Sequence, residues 1–149
     1  MKSAIVSENV FCYPDVTDYT SARDNIALHA PRGSWASVQI LLAGVPESAE
    51  IAVRFTGAPA DMGCELYELV PVYVEQNANI TPENTVPHCP NRAAPFYVYD
   101  CMKPLGGRLS PMEGTAGLYL SFPVPGDDAP GERKGAVHIV CAGETFEIP

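Results

Sequence analysis

Apolar residues recur at every second position along most of the chain, and that spacing restricts it to short strands. In Ser34–Leu42, one face carries Ala36, Val38, Ile40 and Leu42, and the other carries Trp35, Ser37, Gln39 and Leu41. Side chains alternate across a strand, so this pattern belongs to a strand with one face in a core. Ile51, Val53 and Phe55 alternate with Glu50, Ala52 and Arg54, and Val70, Val72 and Val74 with Leu69, Pro71 and Tyr73. Leu118, Leu120, Phe122 and Val124 form a fourth run, with Tyr119 and Ser121 opposite, and Val137, Ile139 and Cys141 a fifth, with His138 opposite. Shorter candidates are Val10–Tyr13, Ile26–His29, Phe96–Tyr99 and Thr145–Ile148. No window of about eleven residues keeps a helical apolar stripe free of Pro or Gly. The best helical candidate, Val16–Asn25, is too polar to carry a core face. Fifteen Pro and twelve Gly fall among the apolar runs as turn formers. The expectation is a single all-β domain over residues 1–149, an antiparallel β-sandwich of immunoglobulin-like or jelly-roll-like form with eight or nine strands. A closed barrel is the rival.

The stretch "PVPGDDAPGERKG", Pro123 to Gly135, interrupts two of these runs. Gly supplies positive φ, Pro fixes φ and Asp caps its own turn, so the segment reads as the elaborated connection of a long hairpin. Gln76–Arg92, with its several Pro and Asn, reads as a long loop of the kind that carries function or an interaction surface.

Charge and cysteine content narrow the function classes. The formal net charge is −9, with nine unclustered basic residues, which argues against nucleic acid and against an anionic membrane surface. No apolar leader follows Met1-Lys2-Ser3, and no run is long enough to span a membrane, so a cytoplasmic location is expected. The five cysteines, Cys12, Cys64, Cys89, Cys101 and Cys141, are widely spaced without a CxxC, as reduced thiols would be, with Cys12, Cys64 and Cys141 in apolar settings.

Candidate chemistry is sparse. A glycosidase needs two carboxylates facing one cleft. Asp127 and Asp128 are adjacent in a turn, Glu65 and Glu68 face opposite sides of a strand, and Asp15 and Asp18 read as turn caps. His88-Cys89 with Asp100 and Cys101 is the one gathering of metal-ligand types, and its spacing fits no ligand pattern. His29 and His138 stand alone on strands, and Gly106-Gly107 is too short for a phosphate loop. No cofactor or metal is expected and no residue is assigned a catalytic role. The aromatics Phe96, Tyr97 and Tyr99, together with Trp35, have three readings: core packing, docking against another domain, or stacking on a sugar.

Three segments resemble the amino-terminal β-sandwich of proteins related to glycoside hydrolase family 123. "GLYLSFPVPGDDAPGERKGAVHIV" matches through Val124-Pro125, Asp128-Ala129-Pro130-Gly131 and Gly135-Ala136-Val137-His138-Ile139. "APRGSWASVQILLAG" matches through Arg32, Ser37 and Gln39, and "DCMKPLGG" through Asp100, Pro104 and Leu105. Arg133 stands where that family usually has Tyr, and Leu120 where it often has Trp. The resemblance implies a noncatalytic accessory domain at the start of a longer protein, followed by a catalytic (β/α)-barrel that it positions or shields. Trp35, Phe96, Tyr97 and Tyr99 are then expected on the surface that meets the barrel. The alternatives are a carbohydrate-binding module using the same rings and a free-standing adhesion or assembly domain.

Overall fold

The computed structural model describes residues 1–18, 27–76 and 92–149. Among these residues the chain is all-β. The strands are β1 (Lys2–Ser7), β2 (Ser34–Ala43), β3 (Ile51–Gly57), β4 (Glu65–Val74), β5 (Phe96–Pro104), β6 (Thr115–Val124), β7 (Gly135–Cys141) and β8 (Glu144–Ile148). One short helical turn, α1 (Ala58–Asp61), follows β3. All pairings are antiparallel. They build a larger sheet in the order β1-β2-β6-β4-β5 and a smaller one in the order β3-β7-β8. The two sheets face each other as a β-sandwich rather than closing into a barrel.

The core between them is the alternation read from the sequence. Val38, Ile40 and Leu42 of β2 and Leu118, Leu120 and Phe122 of β6 meet Ile51, Val137, Ile139, Cys141 and Ile148 of the smaller sheet. Phe55 packs edge-on against Phe122, with ring centroids 5.9 Å apart. The candidates Phe96–Tyr99 and Thr145–Ile148 lie within β5 and β8.

Several elements differ from what the alternation predicts. The connection Pro125–Lys134 does not close a hairpin, because β6 lies in the larger sheet and β7 in the smaller one. Alternation places Leu118, Leu120 and Phe122 on one face and Val137 and Ile139 on another, and cannot tell neighbours in a sheet from partners across a core. The turn chemistry is as expected: Asp128 N–H donates to the Pro125 carbonyl at 3.3 Å, and Arg133 pairs with the Asp128 carboxylate. The genuine hairpin is β7–β8, whose Ala142 and Gly143 both have positive φ, 50° and 83°. Val10–Tyr13 is irregular rather than a strand, and β1 has no polar–apolar alternation to announce it. Ile5 faces the core and its neighbour Val6 is buried on the opposite side. Residues 27–29 of the candidate Ile26–His29 and residues 16–18 of Val16–Asn25 are irregular, and the remainder of both lies outside the described residues.

The segment after β1 explains why Val6 is buried. The chain turns at Ser7, where Val10 N–H donates to the Ser7 carbonyl at 3.0 Å, and then crosses the outer face of the larger sheet. Its landing site is a second apolar cluster of Val6, Cys12, Leu41, Leu69 and Tyr99. Hydrogen bonds fix the crossing: the Gln39 side-chain amide donates to the Ser7 carbonyl at 3.0 Å and to the Val10 carbonyl at 2.9 Å. Thr115 Oγ1 donates to the Pro14 carbonyl at 2.8 Å, and Tyr99 N–H to the Cys12 carbonyl at 2.9 Å. Beneath the segment, Gly117 lies against Leu69, and a Cβ there would meet Leu69 Cβ at 2.9 Å.

Gln39→Met keeps the bulk but leaves the carbonyls of Ser7 and Val10 without this donor. We expect it to lower stability by about 1–3 kcal/mol, read as a lower urea midpoint with little change in slope. Ala142→Asn should do the opposite, raising stability by about 1 kcal/mol, because an exposed non-glycine residue now holds a left-handed turn position that Asn tolerates.

Candidate functional site

The carboxylate pairs do not converge. Glu65 and Glu68 occupy opposite faces of β4. Glu65 is exposed and accepts a hydrogen bond from Tyr67 Oη at 2.7 Å, which pushes the Tyr67 phenol pKa up. Glu68 is buried on the inner face, where it accepts from Lys103 Nζ at 2.9 Å and from Ser110 N–H at 2.5 Å. Asp127 is exposed in its turn, and Asp128 is engaged by Arg133. Asp15 pairs with Arg92, whose hydrogen bond holds its carboxyl below the usual range, and Asp18 is exposed.

His88 and Cys89 lie outside the described residues, while Asp100 and Cys101 are exposed on β5. Among the described residues no group of three or more His, Cys, Asp or Glu is placed to hold a metal. His138 is not alone. Its Nε2 lies 2.9 Å from Thr56 Oγ1, and its Nδ1 lies 3.6 Å from Glu147 Oε2 on the outer face of the smaller sheet. Only the cross-strand register makes that row, with Arg54 and Glu147 opposite His138 on either side, so no local sequence signal announces it.

The four aromatic candidates separate. Tyr99 is 6% exposed, and its Oη lies 2.9 Å from Thr115 Oγ1 within the second apolar cluster. Burial raises its pKa, and its ring is committed to the domain's own packing rather than to a surface. Phe96 is half-buried, edge-on to Tyr13 at 5.7 Å. The Arg92 guanidinium lies 4.6 Å from the Tyr13 ring centroid and 5.5 Å from that of Phe96. Tyr97 is 39% exposed and tilts against its cross-strand partner Tyr73, 52% exposed, with centroids 5.0 Å apart. The sequence reading missed Tyr73, although its place in the Leu69-Pro71-Tyr73 row already put it on that face.

Trp35 is 53% exposed on the outer face of the larger sheet, as its place opposite the core row predicted. Register sets a row of polar and aromatic residues around it. Trp35 lies opposite Pro123, Ser37 opposite Ser121, and Gln39 opposite Tyr119, and on β4 Glu65 and Tyr67 continue the Ser121 and Tyr119 rows. The Ser37 and Ser121 hydroxyls are 3.3 Å apart, and Tyr119 Oη reaches Glu8 Oε2 at 3.4 Å. Beside Trp35 is a groove of about 280 Å³, lined in part by Ser7, Glu8, Leu28, His29 and Ser37.

Among the described residues the strands of the larger sheet thus expose aromatics on the outer face at Trp35 and at Tyr73–Tyr97, with the crossing segment, which itself exposes Phe11, between them. No family model matches the sequence, and no curated protein matches it. A solved structure does: a family 123 glycoside hydrolase from Clostridium perfringens, described in a study of glycolipid glycan hydrolysis, superimposes with a TM-score of 0.66 at 13% sequence identity. The match covers 99% of this chain and 26% of that chain. The two share a fold, and this chain spans about a quarter of the hydrolase's length. Among the described residues no helix is long and apolar enough to cross a membrane.

The cysteines differ sharply in environment. Cys101 is exposed, Cys64 is half-buried and Cys141 is buried, as is Cys12. Burial pushes the Cys64 thiol up to about 11 and raises that of Cys141. A rise of two units from the ordinary 9 lowers the thiolate fraction of Cys64 near neutral pH about 100-fold. Peptide mapping after brief iodoacetamide treatment of the folded protein should therefore find Cys101 modified first among Cys12, Cys64, Cys101 and Cys141. Cys64 should lag far behind and accelerate as pH rises toward 11.

Proposed function

We propose that this chain is a noncatalytic β-sandwich accessory domain of a glycoside-hydrolase-like multidomain protein, and that it positions or shields a following catalytic barrel. The observation that carries the reading is the pair of coverages: nearly the whole chain superimposes on about a quarter of a glycoside hydrolase. The three sequence segments that resemble the family 123 amino-terminal sandwich point the same way. Site chemistry agrees with a supporting role. Of the carboxylates weighed as acid pairs, Glu65 and Glu68 lie on opposite faces, and Asp15, Asp128 and Glu68 are engaged by Arg92, Arg133 and Lys103. A domain with that role needs a docking surface, and interfaces between domains of one chain favour exposed aromatics. Tyr73 and Tyr97 supply such a surface at the β4–β5 end.

The purified chain should not hydrolyse an aryl N-acetylhexosaminide above the no-enzyme rate. Turnover that disappears on replacing one carboxylate of this chain would overturn the reading. If the same reading frame encodes a barrel downstream, Tyr73→Ser with Tyr97→Ser should loosen the joined protein. Limited proteolysis should then release the sandwich faster from the variant than from the parent, while the isolated domain keeps its urea midpoint.

A further inference from the structure

β1 pairs with β2 only from Ser7–Val38 onward, whereas β2 begins at Ser34. The chain leaves the sheet edge at Ser7, so among the described residues no strand pairs with Ser34–Ser37 on that side. The groove beside Trp35 is a notch at this part of the edge, lined by Ser7 and Glu8 of the departing chain and by Trp35, Ala36, Ser37 and Val38 of β2. We propose that this notch binds one neutral sugar residue of a glycan, with the Trp35 indole as the stacking platform and Glu8, His29 and Ser37 as hydroxyl partners.

A single exposed Trp decides little by itself. Its setting decides more. The indole sits on a strand held in the ladder opposite Pro123, and the strand's entry is fixed by Gly33 N–H donating to the Val124 carbonyl at 2.9 Å. The backbone that carries the indole is therefore fixed before any ligand arrives, which lowers the ordering cost of binding. A sugar ring presents an apolar C–H face and a rim of hydroxyls, so it needs an aromatic surface and nearby polar groups together. Both kinds of residue line the groove: Trp35 and Leu28 on one hand, and Ser7, Glu8, His29 and Ser37 on the other.

Charge and size narrow the occupant. Among the described residues no Lys or Arg lines the groove, Glu8 does, and the chain carries a formal charge of −9, so uronates, sialic acids and phosphates are disfavoured. A volume of about 280 Å³ lies at the small end of ligand pockets, which suits a single ring. An extended peptide is the competing occupant. It would find only Ser34–Ser37 to pair with, shorter than the usual five or six residues of a strand. The proposal holds whether or not a barrel follows the domain, so hydrolytic activity in this chain would not bear on it.

Trp35 is the only Trp in the chain, so selectively excited indole emission reports this groove. Methyl glycosides of galactose, N-acetylgalactosamine, glucose and N-acetylglucosamine serve as probes, with glucuronate and sialic acid as anionic comparisons. We expect at least one neutral glycoside to shift the emission and saturate with a Kd on the order of 1 mM, and the anions to leave it unchanged. Trp35→Ala, followed by NMR chemical-shift titration, should weaken binding at least tenfold. Glu8→Gln, an exposed change that spares the fold, should weaken it several-fold. Emission unmoved by all four neutral glycosides overturns the proposal. So does an affinity unchanged in Glu8→Gln and in Trp35→Ala, or an extended apolar peptide that shifts the indole where sugars do not.

Discussion

The Gln39 amide governs how this chain passes from a sheet to a surface. It sits at 5% exposure in the outer row of β2 and donates to two carbonyls of the segment that has just left the sheet. A buried amide without partners is costly, and the Ser7 and Val10 carbonyls supply its partners here. The result is that the chain peels away at Ser7 and crosses over Leu41, Leu69 and Tyr99 instead of continuing along β2. Three features depend on that choice. Val6 is buried on the face that would otherwise be wet, β2 is left without a β1 neighbour at Ser34–Ser37, and the outer face is divided in two.

Two charged anchors fix the parts that hydrogen-bonded strands leave loose. Arg92 grips Asp15 and lies over Tyr13 and Phe96, tying the end of the crossing segment to the start of β5. Glu68, 2% exposed, is paired with Lys103 across the β4–β5 ladder and reaches Ser110 N–H in the connection from β5 to β6. A buried ion pair contributes little net stability, because desolvation opposes the attraction, but removing one partner leaves a stranded charge. Glu68 therefore acts mainly on position: it sets where Ser110 lies, next to Leu109, which is buried and bonded to the Ala49 carbonyl.

Most strands were legible, because one buried face imposes a period of two that composition cannot hide. Ser34–Leu42 and Leu118–Val124 show it plainly, and both sit where the pattern put them. Sheet membership was not legible. Leu120 and Ile139 carry the same signal whether they are neighbours or face one another across the core, so the connection after β6 was read as a hairpin. β1 was hidden for the opposite reason, since Ile5 and Val6 are both covered and no alternation remains. The candidate site was half legible. Row parity places Trp35 and Tyr97 on an outer face, yet Tyr99 shares a row with Tyr97 and is buried only because Cys12 and Val10 arrive from far along the chain. The His138–Thr56–Glu147 row depends on three strands falling into register, which no local window contains.

The division of the outer face bears on how one small domain could serve two partners. Trp35 lies near the β6 end marked by Pro123, beside the start of β4, because Glu65 pairs with Ser121 in the adjoining row. Tyr73 lies near the far end of β4, paired with Tyr97 on the sheet's edge strand. The two aromatic sites therefore occupy opposite corners of one sheet face, with the Gln39-held segment between them. A protein partner covering the Tyr73–Tyr97 corner would have to pass over that segment before it reached the notch. On the proposed reading, docking and sugar binding need not compete. The same few hydrogen bonds that bury the second apolar cluster also keep the two surfaces apart.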